Sequence, residues 1–110
     1  NVPGRTVADM LPETVAELSK HPKIVGLKDA TGDLQRLKET QTLVDQDFVV
    51  LSGDDPSSCE FLQAGGHGVI SVTANIVPAQ MADMCNAALA GDIPLATKIN
   101  ESIADLHTSL

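Results

Sequence analysis

Three short, mostly apolar runs recur along a chain that is otherwise rich in polar residues. They cover residues 23–28, 48–52 and 68–73, and each is shorter than an ordinary helix. The second run is rich in β-branched side chains, which favour extended backbone. The first is followed by Gly32, and the third is preceded by a glycine-rich stretch. The pattern predicts three buried strands.

Helical periodicity fills the segments before and between the first runs. Leu11, Val15 and Leu18 share one helical face, and Pro12 suits the first position of that helix. We expect this helix to end near residues 21–22. After the first strand, Asp33 is a good N-cap for a second helix.

Three further helices are expected in the second half of the chain. Asp55 and Pro56 are predicted as the N-cap and first residue of a helix that ends before residues 65–66. Pro78 opens a fourth helix, which Gly91 closes. Pro94 opens a fifth helix that continues unbroken toward the end of the chain.

The predicted order α-β-α-β-α-β-α-α is typical of an α/β fold with a parallel sheet and right-handed connections. Three strands leave both edges of such a sheet open. A complete (β/α)₈ barrel needs roughly 250 residues, and this chain has 110. We therefore expect the rest of the sheet to come from a segment outside these residues or from a partner chain.

Charge and composition exclude several classes of function. Acidic side chains outnumber basic ones 15 to 7, giving a net charge of −8 and a pI near 4.5. Nucleic acid and anionic membranes would be repelled, and no apolar run approaches the ~20 residues of a membrane span. Cys59 and Cys85 have no metal-ligand spacing and are predicted to be free thiols in a reducing cytoplasm. We expect neither a metal nor a cofactor.

Lys28 is the main candidate for chemistry. It ends the first predicted strand, and in α/β folds ligands bind at the carboxyl ends of the strands. A lysine facing an apolar barrel interior is poorly solvated, which disfavours its charged form. The neutral amine is the form that attacks a carbonyl to give a Schiff base. The alternative is a solvated lysine paired with Asp29 or Asp54.

Two other features are weaker signals on their own. Arg5 lies in a turn-rich segment and could hold a substrate carboxylate, although a lone arginine is usually a surface residue. His67 lies among three glycines whose spacing matches neither a dinucleotide fingerprint nor a P-loop. We assign His67 no catalytic role.

Four motifs together resemble a known family. They are NVPGRT at residues 1–6, GLKDATGD at 26–33, LSGDD at 51–55 and GGHGVISVTAN at 65–75. Each motif is weak alone, but their order and spacing resemble the dihydrodipicolinate synthase (4-hydroxy-tetrahydrodipicolinate synthase) family. This family belongs to the pyruvate-dependent class I aldolases, with the N-acetylneuraminate lyases. The resemblance covers nearly the whole chain.

The resemblance implies a partial TIM (β/α)₈ barrel, with the sixth to eighth strands followed by C-terminal helices. It places the Schiff-base lysine at Lys28 and the arginine that meets the aldehyde's carboxylate at Arg5. Gly53 and Ile70 match positions whose backbones border the lysine. The implied substrates are pyruvate and aspartate semialdehyde. Their implied product is 4-hydroxy-tetrahydrodipicolinate, in lysine and diaminopimelate biosynthesis in the cytoplasm. The full-length family enzyme is expected to be a homo-oligomer, a tetramer.

Other parts of the family site have no counterpart here. One of the family's catalytic tyrosines is expected directly before Asn1, the other tyrosine and the threonines belong to earlier strands, and this chain has no tyrosine. We therefore expect residues 1–110 to be the C-terminal portion of one TIM-barrel domain and to be inactive in isolation. Two alternatives stay open: another pyruvate-dependent aldolase (a sialic acid or 2-keto-3-deoxy sugar acid lyase), and a non-enzymatic α/β binding module.

Overall fold

The chain alternates short strands with helices throughout the computed structural model, which describes residues 1–110. In chain order the elements are α1 Pro3–Thr6, α2 Pro12–Ser19, β1 Gly26–Asp29, α3 Leu34–Leu43, β2 Val49–Ser52, α4 Ser58–Gln63, β3 Gly68–Val69, a 3₁₀ turn Thr73–Asn75, α5 Pro78–Leu89, α6 Ile93–Ser102 and α7 Ala104–Ser109. The predicted alternation is confirmed, with two extra helices.

The three strands form one parallel sheet in the order β1-β2-β3. Lys28 pairs with Leu51, and Leu51 pairs with Gly68. Because side chains alternate along a strand, these three residues project from the same face. The helices do not cover that face, as the exposure of Lys28 and the partial exposure of Leu51 and Gly68 show.

The opposite face of the sheet packs on the helices through two apolar clusters. The first joins α2, α3 and α4 to β1 and β2, and its members are Val15, Leu37, Phe48, Val50 and Phe61, with Leu27 packed against them. The second joins α4, α5 and α6, and Val69 of β3 packs against it. The fold therefore has one buried sheet face and one open face.

Asp33 caps α3 as predicted: its carboxylate accepts hydrogen bonds from the backbone N–H groups of Gln35 and Arg36. The predicted cap at Asp55 with Pro56 is wrong, because α4 begins at Ser58. The Asp55 carboxylate bonds to the loop after β3 instead.

Strand ends also differ from the prediction. The first strand begins only at Gly26, because residues 21–24 form a turn in which the N–H of Ile24 bonds to the carbonyl of His21. The third strand ends at Val69, and Asp55 takes the N–H groups of Val72 and Thr73 that a longer strand would use. The predicted last helix is interrupted at Ile103, where φ is −117°.

Candidate functional site

The carboxyl ends of the three strands carry the residues singled out from the sequence. Lys28 lies near the end of β1, Gly53 directly follows β2, and Ile70 directly follows β3. The N–H of Gly53 donates to the carbonyl of Asp29 (2.8 Å), and that of Ile70 to the carbonyl of Ser52 (2.9 Å). Parallel pairing thus brings these three positions to one edge of the sheet.

The side chain of Lys28 lies across Gly53. A Cβ atom at position 53 would stand 2.6 Å from Cε and 3.3 Å from Cγ of Lys28, and 3.0 Å from Cβ of Ala30. The first of these distances is too short for two carbon atoms, so a side chain at position 53 would push the Lys28 side chain aside, whereas glycine leaves it where it is. Lys28 and Gly53 are therefore neighbours.

Lys28 is exposed and lies on the sheet face opposite the helices. These 110 residues alone do not give it the poorly solvated setting expected from the sequence. Its ammonium is in neither ion pair of the structure, which are Lys20–Glu17 and Arg36–Asp9. The alternative pairing with Asp29 or Asp54 is absent. The Asp29 carboxylate accepts from Thr31, and the Asp54 carboxylate from Ser57.

The segment that carries Arg5 joins the outer edge of β1 through Asn1. The backbone nitrogen of Asn1 donates to the carbonyl of Lys28 (2.6 Å), and the N–H of Ala30 donates to the carbonyl of Asn1 (2.9 Å). This is the hydrogen-bond pattern of a parallel β-bridge. Arg5 follows on the single turn α1, where it is exposed and in no ion pair.

A hydrogen-bonded, charged network that the sequence analysis missed joins the two ends of the segment of residues 1–10. The Asn1 side chain donates to the Asp9 carboxylate (2.9 Å) and accepts from the N–H of Met10 (3.0 Å). The guanidinium of Arg36, on α3, donates one hydrogen bond to each carboxylate oxygen of Asp9, both at 2.8 Å. Hydrogen bonds from Arg36 and Asn1 hold the pKa of Asp9 well below its usual value, and the bond to Asp9 raises the pKa of Arg36.

The groups that could serve a metal or a base lie elsewhere or do not converge. No group of three or more His, Cys, Asp or Glu side chains is placed to hold a metal ion. The N–H of His67 donates to the carbonyl of Val50, and its Nδ1 accepts from the N–H of the same residue. This places His67 at the amino ends of the strands, away from Lys28. No helix has both the length and the apolar character to span a bilayer.

A parallel sheet with helices on one face only, and with a lysine at the carboxyl end of a strand on the other, is a section of a (β/α)₈ barrel. Solved structures agree. Dihydrodipicolinate synthase from Aquifex aeolicus superposes with a TM-score of 0.95 at 34% identity, over 98% of this chain and 37% of that one. The chloride-inhibited enzyme from Acinetobacter baumannii, complexed with pyruvate, gives 0.94 at 44% identity, over 98% and 37%.

Sequence relatives identify the family. All 110 residues match the Dihydrodipicolinate synthetase family, and the chain belongs to it. It is 72% identical over its full length to 4-hydroxy-tetrahydrodipicolinate synthase of Pseudoalteromonas atlantica, and 56% identical to that of Pseudomonas aeruginosa. It spans 38% of the length of each of these relatives. The predicted family and the partial-barrel fold are confirmed.

Proposed function

We propose that these residues are the C-terminal portion of the TIM-barrel domain of a 4-hydroxy-tetrahydrodipicolinate synthase. In this proposal they supply its Schiff-base lysine and its carboxylate-binding arginine. The observation that carries the proposal is the position of Lys28, whose stem lies on Gly53 at the carboxyl ends of the strands. Family membership over the whole chain supports the same reaction.

Lys28 is the nucleophile of this reaction. Its neutral amine adds to the ketone carbon of pyruvate, and loss of water gives an imine. A proton then leaves the pyruvate methyl group, and the resulting enamine carbon bonds to the aldehyde carbon of aspartate semialdehyde, whose oxygen takes up a proton. The semialdehyde's own amine displaces Lys28 from the imine, which closes the ring and frees the lysine.

Arg5, Gly53 and Ile70 are proposed to bind the substrates. The guanidinium of Arg5 is free of ion pairs and can offer two parallel N–H donors to the carboxylate of the semialdehyde. The backbones of Gly53, which lies against the Lys28 stem, and of Ile70, which follows β3 at the same end of the sheet, are assigned to the keto-acid pocket in this proposal. The chain has no tyrosine, so the proton transfers, typically worth 10²–10⁴-fold, need residues outside this set.

Covalent trapping tests the role of Lys28. The protein, at the length of its curated relatives, is mixed with pyruvate and borohydride, and the modified peptide is located by mass spectrometry. We expect the reduced adduct on Lys28 and none in Lys28→Ala, with Lys20→Ala labelled like the wild type. Labelling that persists in Lys28→Ala would refute the assignment. Absence of any adduct in the wild type would favour a binding module.

A panel of aldehydes separates the synthase from other pyruvate-dependent aldolases. With pyruvate fixed, consumption is compared for aspartate semialdehyde and for the aldehydes made by sialic acid and 2-keto-3-deoxy sugar acid lyases. We expect efficient turnover with the semialdehyde only, because Arg5 selects its carboxylate in this proposal. A preference for a sugar aldehyde would instead identify the protein as a lyase of that kind.

The two free cysteines are in keeping with a cytoplasmic enzyme.

A further inference from the structure

We propose that the Arg36–Asp9 ion pair is a positioning device that fixes Arg5 relative to Lys28. This proposal rests on the proposed function, because it concerns how the semialdehyde's carboxylate is recognised. Neither residue is placed to touch a substrate. They act on the segment of residues 1–10 that carries Arg5.

The middle of that segment has little of its own to hold it in place. Turn α1 contains no buried residue, and the hydroxyl of Thr6 bonds only within the segment, to the carbonyls of Val2 and Ala8. Val7 is 95% exposed and has a φ of +56°, which is unfavourable for a β-branched residue. The position of Arg5 therefore depends on how the two ends of the segment are anchored.

Both ends are tied to the β-α unit that carries Lys28. The backbone of Asn1 bonds to β1 at Lys28 and Ala30, and its side chain bonds to Asp9 and Met10. Arg36 adds the only side-chain hydrogen bonds that reach residues 2–10 from another element, to Asp9 and, at 3.4 Å, to the carbonyl of Met10.

Arg36 is itself rigidly placed. It lies in the first turn of α3, and its backbone N–H bonds to the capping carboxylate of Asp33. Its fork meets Asp9 in the planar two-bond geometry that Arg–carboxylate pairs favour. The Arg36 and Asp9 side chains are only 17% and 37% exposed, against 73% and 76% for the Lys20–Glu17 pair. Among ion pairs at the surface, bidentate Arg–carboxylate pairs such as this one are those that hold a defined geometry.

The test separates recognition of the aldehyde from chemistry at the lysine. Arg36→Met, Arg36→Lys and Asp9→Asn are made in the protein at the length of its curated relatives. For Arg36→Met we expect the KM for aspartate semialdehyde to rise about 10- to 100-fold, the loss typical of a misplaced binding group. The KM for pyruvate, the borohydride labelling of Lys28 and kcat stay near wild type, because binding was lost equally in ground and transition states.

Graded variants distinguish positioning from folding. Arg36→Lys keeps the charge but not the fork, so its KM for the semialdehyde should lie between those of wild type and Arg36→Met. Lys20→Met removes the exposed pair and is the matched control, with unchanged kinetics. If Arg36→Met does not fold, Arg36→Lys and Asp9→Asn decide the question.

Either of two results overturns the proposal. One is an unchanged semialdehyde KM in the folded variants. The other is a similar impairment of every quantity measured, in which both KM values rise and both kcat and the labelling of Lys28 fall. That result indicates general disruption. Normal labelling with an unchanged semialdehyde KM would reject the positioning role and leave the Lys28 assignment intact. A wild type without any adduct would reject both.

Discussion

Asp55 joins the loops that follow β2 and β3. Its Oδ2 accepts from the N–H groups of Val72 (2.9 Å) and Thr73 (3.0 Å), while its Oδ1 is buried without a hydrogen-bond partner. Burial works to raise the pKa of Asp55, but the neighbouring Ser71 hydroxyl and the bonded N–H groups of Thr73 and Val72 outweigh it, so the pKa lies below its usual value. The folded state therefore favours the ionised carboxylate.

Because the pKa of Asp55 is lower in the folded state than in the unfolded state, the free energy of unfolding depends on pH. The contribution of Asp55 is complete above the ordinary carboxyl pKa of about 4 and disappears as the pH falls through its lower folded value. Asp55→Asn should lower the free energy of unfolding by about 1–3 kcal/mol at pH 7, and the difference should shrink in acid. Urea unfolding of wild type and variant from pH 7 to 3 measures this difference in the free energy of unfolding. Asp83→Asn, which changes an exposed carboxylate, is the control. A difference that does not change with pH would contradict the assignment.

Single residues differ in how far the sequence alone places them. Alternation along a strand is enough to put Lys28 at a strand end, on the face opposite Leu27. Asp55 could not be placed in this way, because the next residue is a proline and Asp-Pro resembles a helix start. Its partners lie 17 and 18 residues away. Asp9 and Arg36, 27 residues apart, are hidden from local patterns for the same reason.

At the level of elements, the cap of α3 connects stability to the site. The Asp33 carboxylate bonds to the N–H groups of Gln35 and Arg36. Asp33→Ala should cost about 1 kcal/mol, the usual value for a lost N-cap, and Asp33→Asn less. Because Arg36 lies in that first turn, the alanine variant should also raise the KM for the semialdehyde.

A second capped helix gives the control for this prediction. Asp92 caps α6 through the N–H of Leu95 (3.2 Å), and α6 lies outside the Arg36–Asp9 network. Asp92→Ala should lose similar stability in urea unfolding with an unchanged KM for the semialdehyde. If both alanine variants change the KM alike, the link from the α3 cap to the site is wrong.

The existence of most elements follows from apolar spacing, but their ends follow from distant partners. The apolar spacing of the last segment predicts one helix, yet the structure divides it at Ile103. The second piece, α7, holds the buried His107, which bonds to the hydroxyl of Thr73 at 2.8 Å and to Asn100 at 3.2 Å. Thr73 is 34 residues away, so no local periodicity could indicate the break.

At the scale of the whole chain, the uncovered face of the sheet is the feature that we expect to drive self-association in solution. It presents Val49 of β2 and Ile70, which directly follows β3, at 37% and 51% exposure, and Lys28 lies on the same face in the outer strand β1. The outer edge of β3, and the part of β1 that Asn1 does not pair, also offer unpaired backbone groups, which favour pairing with another chain. A closed barrel would cover the face and remove the edges.

We predict that residues 1–110 produced alone self-associate. Light scattering and sedimentation should show species larger than one chain of 11.5 kDa, with dye binding that reports exposed apolar surface. The substitutions Val49→Asp and Ile70→Asp should reduce self-association, whereas Leu89→Asp, at an exposed position of α5, should not. A monomer with a sharp cooperative melt would contradict this prediction.

The close fit of Lys28 over Gly53 also bears on the entropy of bond formation. A free lysine loses up to about 2 kcal/mol of rotamer freedom when it is immobilised, but here the methylene stem already rests on the neighbouring strand. That contact restricts the stem, so the proposed Schiff base would form with a smaller entropy loss than on an unrestrained lysine. Libraries that vary the residues around Lys28 should leave position 53 unchanged, since a side chain there would displace the Lys28 stem.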